Sequence, residues 1–145
     1  MKSESAKWLG LFLLLFLSSC TAGDSSGGAG VYPKAVSAVD ETSAIQTLRT
    51  IATAQAQAKA TKGSYGDFNT LVQAGFLDQR FASETPILRG YRFRITAGET
   101  DFSVTADPQA SAGQDATGRH FYLDSTDNTI HANRSQTASK SDPAL

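Results

Sequence analysis

Apolar and polar positions follow three different patterns along the chain. From Trp8 to Leu17 every residue is apolar or glycine. Between Asp40 and Gly63 the period is helical: Ile45, Leu48 and Ala52 recur at i, i+3 and i+7, with Thr42, Gln46, Arg49, Thr50, Thr53 and Gln57 on the opposite side. Asp40 suits an N-cap, Glu41 falls in the first turn where the helix dipole favours it, and Gly63 is a stop. The apolar stripe is narrow and rich in alanine, which suits a helix lying close against a sheet. A shorter helix is expected over Phe68 to Ala74, capped by Asp67 and ended by Gly75. Phe68, Leu71 and Val72 would face inward, with Phe76, Leu77 and Phe81 packed nearby.

The period then falls to two. Tyr91, Phe93 and Ile95 alternate with Arg92, Arg94 and Thr96, and Phe102, Val104 and Ala106 alternate with Ser103, Thr105 and Asp107. A turn over Ala97 to Thr100 would set Ile95 opposite Phe102 and Phe93 opposite Val104. A second hairpin places Leu123 opposite Ile130 across a turn at Ser125 to Asn128. The polar residues 135–145 read as a loose tail. The expected class is α+β: one long N-terminal helix packed on an antiparallel sheet of about four strands, made as two hairpins.

The first run has another meaning. A helix over Trp8 to Leu17 would cover roughly 15 Å, half of a hydrocarbon core of about 30 Å, so it is too short to span one. Lys2 and Lys7 precede it and small residues follow, the pattern of a secretory signal peptide. Leu17-Ser18-Ser19-Cys20 resembles the lipobox of bacterial lipoproteins, and Cys20 is the single cysteine of the chain. The resemblance implies cleavage between Ser19 and Cys20 and a diacylglyceryl thioether on Cys20. Two or more acyl chains hold a protein firmly to a bilayer, whereas one does so marginally. Thr21, rather than Asp, follows the cysteine, which resembles the sorting signal for an outer-membrane destination ahead of an inner-membrane one. The expected divisions are a signal peptide over residues 1–19, the lipidated cysteine and a Gly/Ser-rich tether over 20–38, a folded domain over 39–134 and the tail over 135–145. A flexible tether of this kind reaches about 20–24 Å, and Tyr32, before Pro33, should be extended.

Composition narrows the function classes. The chain carries 13 basic and 14 acidic residues, and loss of Lys2, Lys7 and Glu4 with the leader takes the net charge from −1 to about −2. No basic excess exists for nucleic-acid binding. One cysteine excludes an intramolecular disulfide, so the domain relies on its apolar core.

The order of segments resembles a family. A helix reading ETSAIQTLRTIATAQAQ, then GSYGDFNTLVQAGFLD, GYRFRIT, FSVTADP and RHFYLDSTDNTIHAN, is similar to the periplasmic part of type IV pilins and pseudopilins, the major-pseudopilin type in particular. The resemblance runs from about residue 39 to 145. It implies a pilin-headgroup fold and a structural or accessory role in a type II secretion or type IV pilus-like apparatus. The chain departs from that family at its start, where the Gly cleavage site, the Glu and the long apolar spine are replaced by the lipobox and the tether. The resemblance therefore implies a pilin-like head held by lipid at the envelope, facing the periplasm, rather than a polymerising subunit.

Candidate chemistry is sparse. His120 and His131 are the two histidines, both expected exposed on the solvent side of the strands, with His131 facing Tyr122. Asp124, Asp127 and Asp142 lie near the last hairpin and the tail; major pseudopilins carry calcium in such a region, but the EF-hand pattern is incomplete and turn chemistry explains these residues equally well. No metal ligand and no cofactor is assigned. Arg92 and Arg94, with Arg89 just before, form a basic stripe that is either a docking surface for an acidic partner or a guard of the sheet edge. No recognisable set of catalytic residues appears, and an enzyme is not expected. The expected function is a non-enzymatic, lipid-anchored envelope module that works through a protein partner. The alternative is a ligand-binding envelope lipoprotein using a groove between the 64–88 connection and the sheet.

Overall fold

The computed structural model describes residues 32–110, 116 and 118–145, with side chains from residue 38 onward. Ser19, Cys20 and the tether up to residue 31 lie outside the described residues.

Helix α1 spans Tyr32–Lys62. It starts earlier than Asp40, so Asp40 is not its N-cap, and Tyr32 is helical rather than extended. Pro33 is tolerated in a first turn, whose N–H groups need no partner inside the helix, and Ala35 and Ala38 are strong helix formers. Gly63, at φ +79°, ends it and donates its N–H to the Lys59 carbonyl at 3.0 Å. The buried line is Ala44, Leu48, Ile51, Gln55 and Ala58, while Ile45 and Ala52 sit partly buried at its flank. The expected polar positions Thr42, Gln46, Arg49, Thr50, Thr53 and Gln57 are all exposed.

The short helix α2, Phe68–Gln73, forms as its sequence indicates. The Asp67 carboxylate accepts from the Thr70 N–H at 2.8 Å, and Gly75 leaves the helix at φ +76°. A 3₁₀ turn, Gln79–Phe81, follows. Phe68, Leu71, Leu77 and Phe81 are buried beneath this connection, so it is part of the core.

The sheet has five antiparallel strands in sequence order: β1 Ile87–Leu88, β2 Tyr91–Ala97, β3 Phe102–Pro108, β4 His120–Asp124 and β5 Ile130–Asn133. The fifth strand, beyond the four expected, is β1. Arg89 and Gly90 both adopt positive φ, which makes a two-residue turn whose twist suits a hairpin, and Leu88 pairs with Tyr91. In the β2–β3 hairpin the register is displaced by two residues from that expected: Ile95 faces Val104 and Ala97 faces Phe102. The turn is Gly98 to Asp101, closed by the Gly98 N–H on the Asp101 carbonyl at 2.9 Å. An even displacement leaves every side chain on its own face, so Phe93, Val104 and Ala106 still enter the core. The β4–β5 pairing is as expected, with Leu123 opposite Ile130 and Phe121 opposite Ala132. Helix α1 lays Leu48 and Ile51 in one cluster with Phe93, Val104, Phe121 and Leu123.

Residues 135–145 are not loose. Ala144 bridges His131, the Ala132 N–H donates to the Pro143 carbonyl at 2.9 Å, and the Leu145 N–H donates to the Ile130 carbonyl at 2.9 Å. Ala138 is buried. A polar sequence stays attached here because its hydrogen bonds are made to the free margin of β5, not because it buries much apolar surface.

Candidate functional site

The side of the sheet turned away from α1 carries the polar half of each strand. Pairing sets Arg92 across from Asp107 and brings Arg94, Thr105, Tyr122 and His131 into one row across four strands. Asp107 is the pivot of this face. Its carboxylate accepts from Arg94 Nη1 at 3.0 Å and meets His120 Nδ1 at 2.7 Å, and the residue is 7% exposed. The expected stripe is therefore divided: Arg92 and Arg94 share a face, but Arg94 is already paired, and Arg89 is held in the left-handed turn before the strand at φ +48°. Arg89 and Arg94 are exposed and Arg92 is half-buried.

Neither histidine is free on the surface. His120 is half-buried against Asp107. His131 does face Tyr122 but is buried, because the tail folds over it. Its Nδ1 lies 2.7 Å from the Asp142 carbonyl, which makes that nitrogen the donor, and its Nε2 is 3.8 Å from Asp127.

The three carboxylates of this region are occupied by turn and tail. Burial pulls the Asp124 carboxyl up, but the Thr126 N–H, the Tyr122 hydroxyl and the Lys140 ammonium together outweigh it and hold the group below its ordinary value. Asp127 accepts from the Thr129 N–H at 2.9 Å. Asp142 is held low first by the Ser139 N–H and then by Asn133 Nδ2, each at 2.7 Å. Among the described residues no three of His, Cys, Asp and Glu are grouped to hold a metal ion.

One further contact positions the sheet against α1, and a second ties β2 to the residue before β4. Glu41, expected to serve the helix dipole, lies well inside the helix and instead accepts from the Arg119 N–H at 2.8 Å and Nε at 3.1 Å. The Tyr91 hydroxyl donates to the Arg119 carbonyl at 3.0 Å, and burial, with Glu41 and Asp40 nearby, pushes that phenol well above its ordinary value. Sequence spacing does not reveal a pair 78 residues apart. The burial of Gln55, which is not among the expected core positions, does have a sequence signal: it lies seven residues after Leu48 and four after Ile51, on the line those two define.

No family model matches the chain, and neither a curated protein nor a solved structure matches it.

The remaining concavities are open. The Phe68, Leu71 and Phe81 side chains of the 64–88 connection are buried in the core and do not line an open groove. A cleft of about 240 Å³ lies instead between that connection and α1, lined by Ser43, Thr47, Phe76, Arg80 and Arg89 among others. The larger groove, about 570 Å³, runs on the other flank of α1, between Ile45, Ala52 and Ala56 and the β4–β5 hairpin with Leu145. No described helix is long and apolar enough to cross a membrane.

Proposed function

We propose that this protein is a lipid-anchored envelope module whose pilin-headgroup-like domain works without catalysis, as a structural or accessory part of a secretion or type IV pilus-like apparatus. The supporting observation is the architecture itself: a 31-residue helix lies along an antiparallel sheet and is joined to it by a packed connection that contains its own short helix. That order of elements is the one the sequence resemblance implies. Cys20 would carry the acyl chains and the signal peptide would leave before it. Helix α1 begins at Tyr32, so 11 residues, 21–31, lie between the anchor and the head. Fully extended, such a link spans at most about 40 Å, and as a flexible coil about 19 Å. The head would face the periplasm, and its partner would be another envelope protein. A second reading, a ligand-binding lipoprotein, draws on the open groove beside Ile45, Ala52 and Ala56.

Mass spectrometry of protein taken from its own membranes tests the anchor, and deletion of the gene tests the role. The expected results are a chain that starts at an acylated Cys20 and a loss of secretion or pilus function. A mature chain that still carries Met1, or undiminished secretion and piliation in the deletion strain, overturns the proposal.

A further inference from the structure

The two margins of the sheet are finished differently. At β5 the chain closes its own margin with Pro143 to Leu145. At β2 the cover is partial: Leu88 and Ile87 pair with Tyr91 and Arg92, and the Phe93 N–H donates to the Pro86 carbonyl at 2.9 Å. That last bond fixes the direction of the backbone. The N–H of Phe93 points away from β3, and by the two-residue period those of Ile95 and Ala97 do so too. The bonds from Gly98 N–H to the Asp101 carbonyl and from Gln109 N–H to the Gly90 carbonyl agree, since they put Gly90 and Gly98 on the β3 side. The N–H and C=O groups of Ile95 and Ala97 therefore stand on the outer margin, where no described residue pairs with them. Thr96, Ala97 and Gly98 are exposed.

We propose that this margin is a contact between two copies of the chain, in which β2 of each lies antiparallel to β2 of the other with Thr96 opposite Thr96. The register follows by elimination, and an axis on Ala97 fails first because it would set Ile95 opposite Glu99, inside the turn that the Gly98–Asp101 bond closes. Centring the two-fold axis on Arg94 would set two guanidinium groups face to face. Centring it on Ile95 would require the Phe93 N–H, which Pro86 already holds. Centring it on Thr96 uses the unpaired groups of Ile95 and Ala97 in both copies and disturbs no existing bond. It also brings Arg94 of each copy beside Gly98 and Glu99 of the other, so that opposite charges meet where the first register would repel. Pro86 limits the contact on one side and the Gly98 to Asp101 turn on the other. A contact this short is below the area of a stable soluble dimer, so it forms where copies are concentrated. Confinement to a membrane would supply that concentration, a point that rests on the proposed anchor, whereas the geometry of the margin does not.

The test is oxidative crosslinking of Thr96→Cys in the full chain, made once with Cys20 intact in phospholipid vesicles and once with Cys20→Ser in concentrated solution. Across the two-fold axis the residues form a non-hydrogen-bonded pair with Cβ atoms about 4.5–5.5 Å apart, close enough for a disulfide after a small adjustment. A dimer disulfide-linked through position 96 of both copies, located by peptide mapping, is expected in the vesicles; its appearance in solution as well supports the contact without help from the anchor. Thr50→Cys, on the exposed side of α1, should give no comparable yield. Adding Ala97→Pro removes an outward N–H without touching any bond of the sheet, and should abolish the dimer while the melting temperature holds. Absence of the Thr96→Cys dimer in both settings, or an equal yield from Thr50→Cys, overturns the proposal. The mass of the Cys20 peptide in the same samples reports separately on acylation, so failure of the anchor and failure of the contact are told apart.

Discussion

Two residues show how polar groups are made useful in a chain with a single small core. Gln55 is wholly buried, and its amide closes a pair of bonds with one backbone unit, donating to the Gly66 carbonyl at 2.7 Å and accepting from its N–H at 3.0 Å. An alanine cannot replace either bond, and it leaves the Gly66 N–H and C=O buried without partners. Gln55→Ala should therefore cost about 2–3 kcal/mol, read from the midpoint of chemical denaturation; a loss under about 0.5 kcal/mol, the level of an ordinary surface change, would mean that Gly66 finds other partners. Asp142 acts through charge. Its carboxyl is held low by the Ser139 N–H and the Asn133 amide, so its folded value lies below its unfolded one. Stabilisation from such a group is complete above the unfolded value, about 3.9, and is lost as pH falls through the lower folded value. Acidification should then release the tail before the core. Protection against hydrogen exchange at the Ala132 and Leu145 amides, relative to the free-chain rate at the same pH, should fall in acid in the native chain, and it should be low already at neutral pH in Asp142→Ala.

At the scale of elements, the C-terminal segment decides how the sheet ends. Ending the chain at Asp142 would remove the bonds at Ala132 and Ile130 and bare the margin of β5. Two lost backbone bonds cost about 1–3 kcal/mol, and an exposed margin favours aggregation, so the shortened chain should melt earlier and scatter light on standing. A shortened chain with an unchanged melting temperature would show that the tail contributes nothing to the sheet. The same tail marks the limit of what the sequence discloses. The short helix at Phe68 was legible because its cap, inward residues and glycine stop all lie close together in the chain. The inward faces of β2 to β5 were legible from period two, even though one hairpin turn lies elsewhere than expected, because an error of two residues does not exchange faces. The tail, β1 and the burial of His131 were not. Each depends on backbone bonds or a turn conformation, and neither leaves an apolar period in the sequence. The start of α1 departs from expectation for a related reason: Asp40 and Glu41 carry a capping signature, but the preceding residues are equally able to be helical.

At the scale of the whole molecule, the described part of the chain has no apolar helix with which to enter a bilayer, so attachment falls to Cys20 in the proposed reading. The charge of the chain, −1 as given and about −2 after the proposed cleavage, offers little electrostatic attraction to an acidic membrane surface, and the basic face that could supply some is partly neutralised by Asp107. Loss of the proposed acyl chains should then release the protein. Cys20→Ser should move the protein from the membrane pellet to the soluble envelope fraction while leaving the melting temperature of the head unchanged. A variant that stays in the pellet through a high-salt wash would show that something other than acylation holds it. The unchanged melting temperature matters as much as the move: it would place the anchor and the fold in separate parts of the chain, as 11 intervening residues allow.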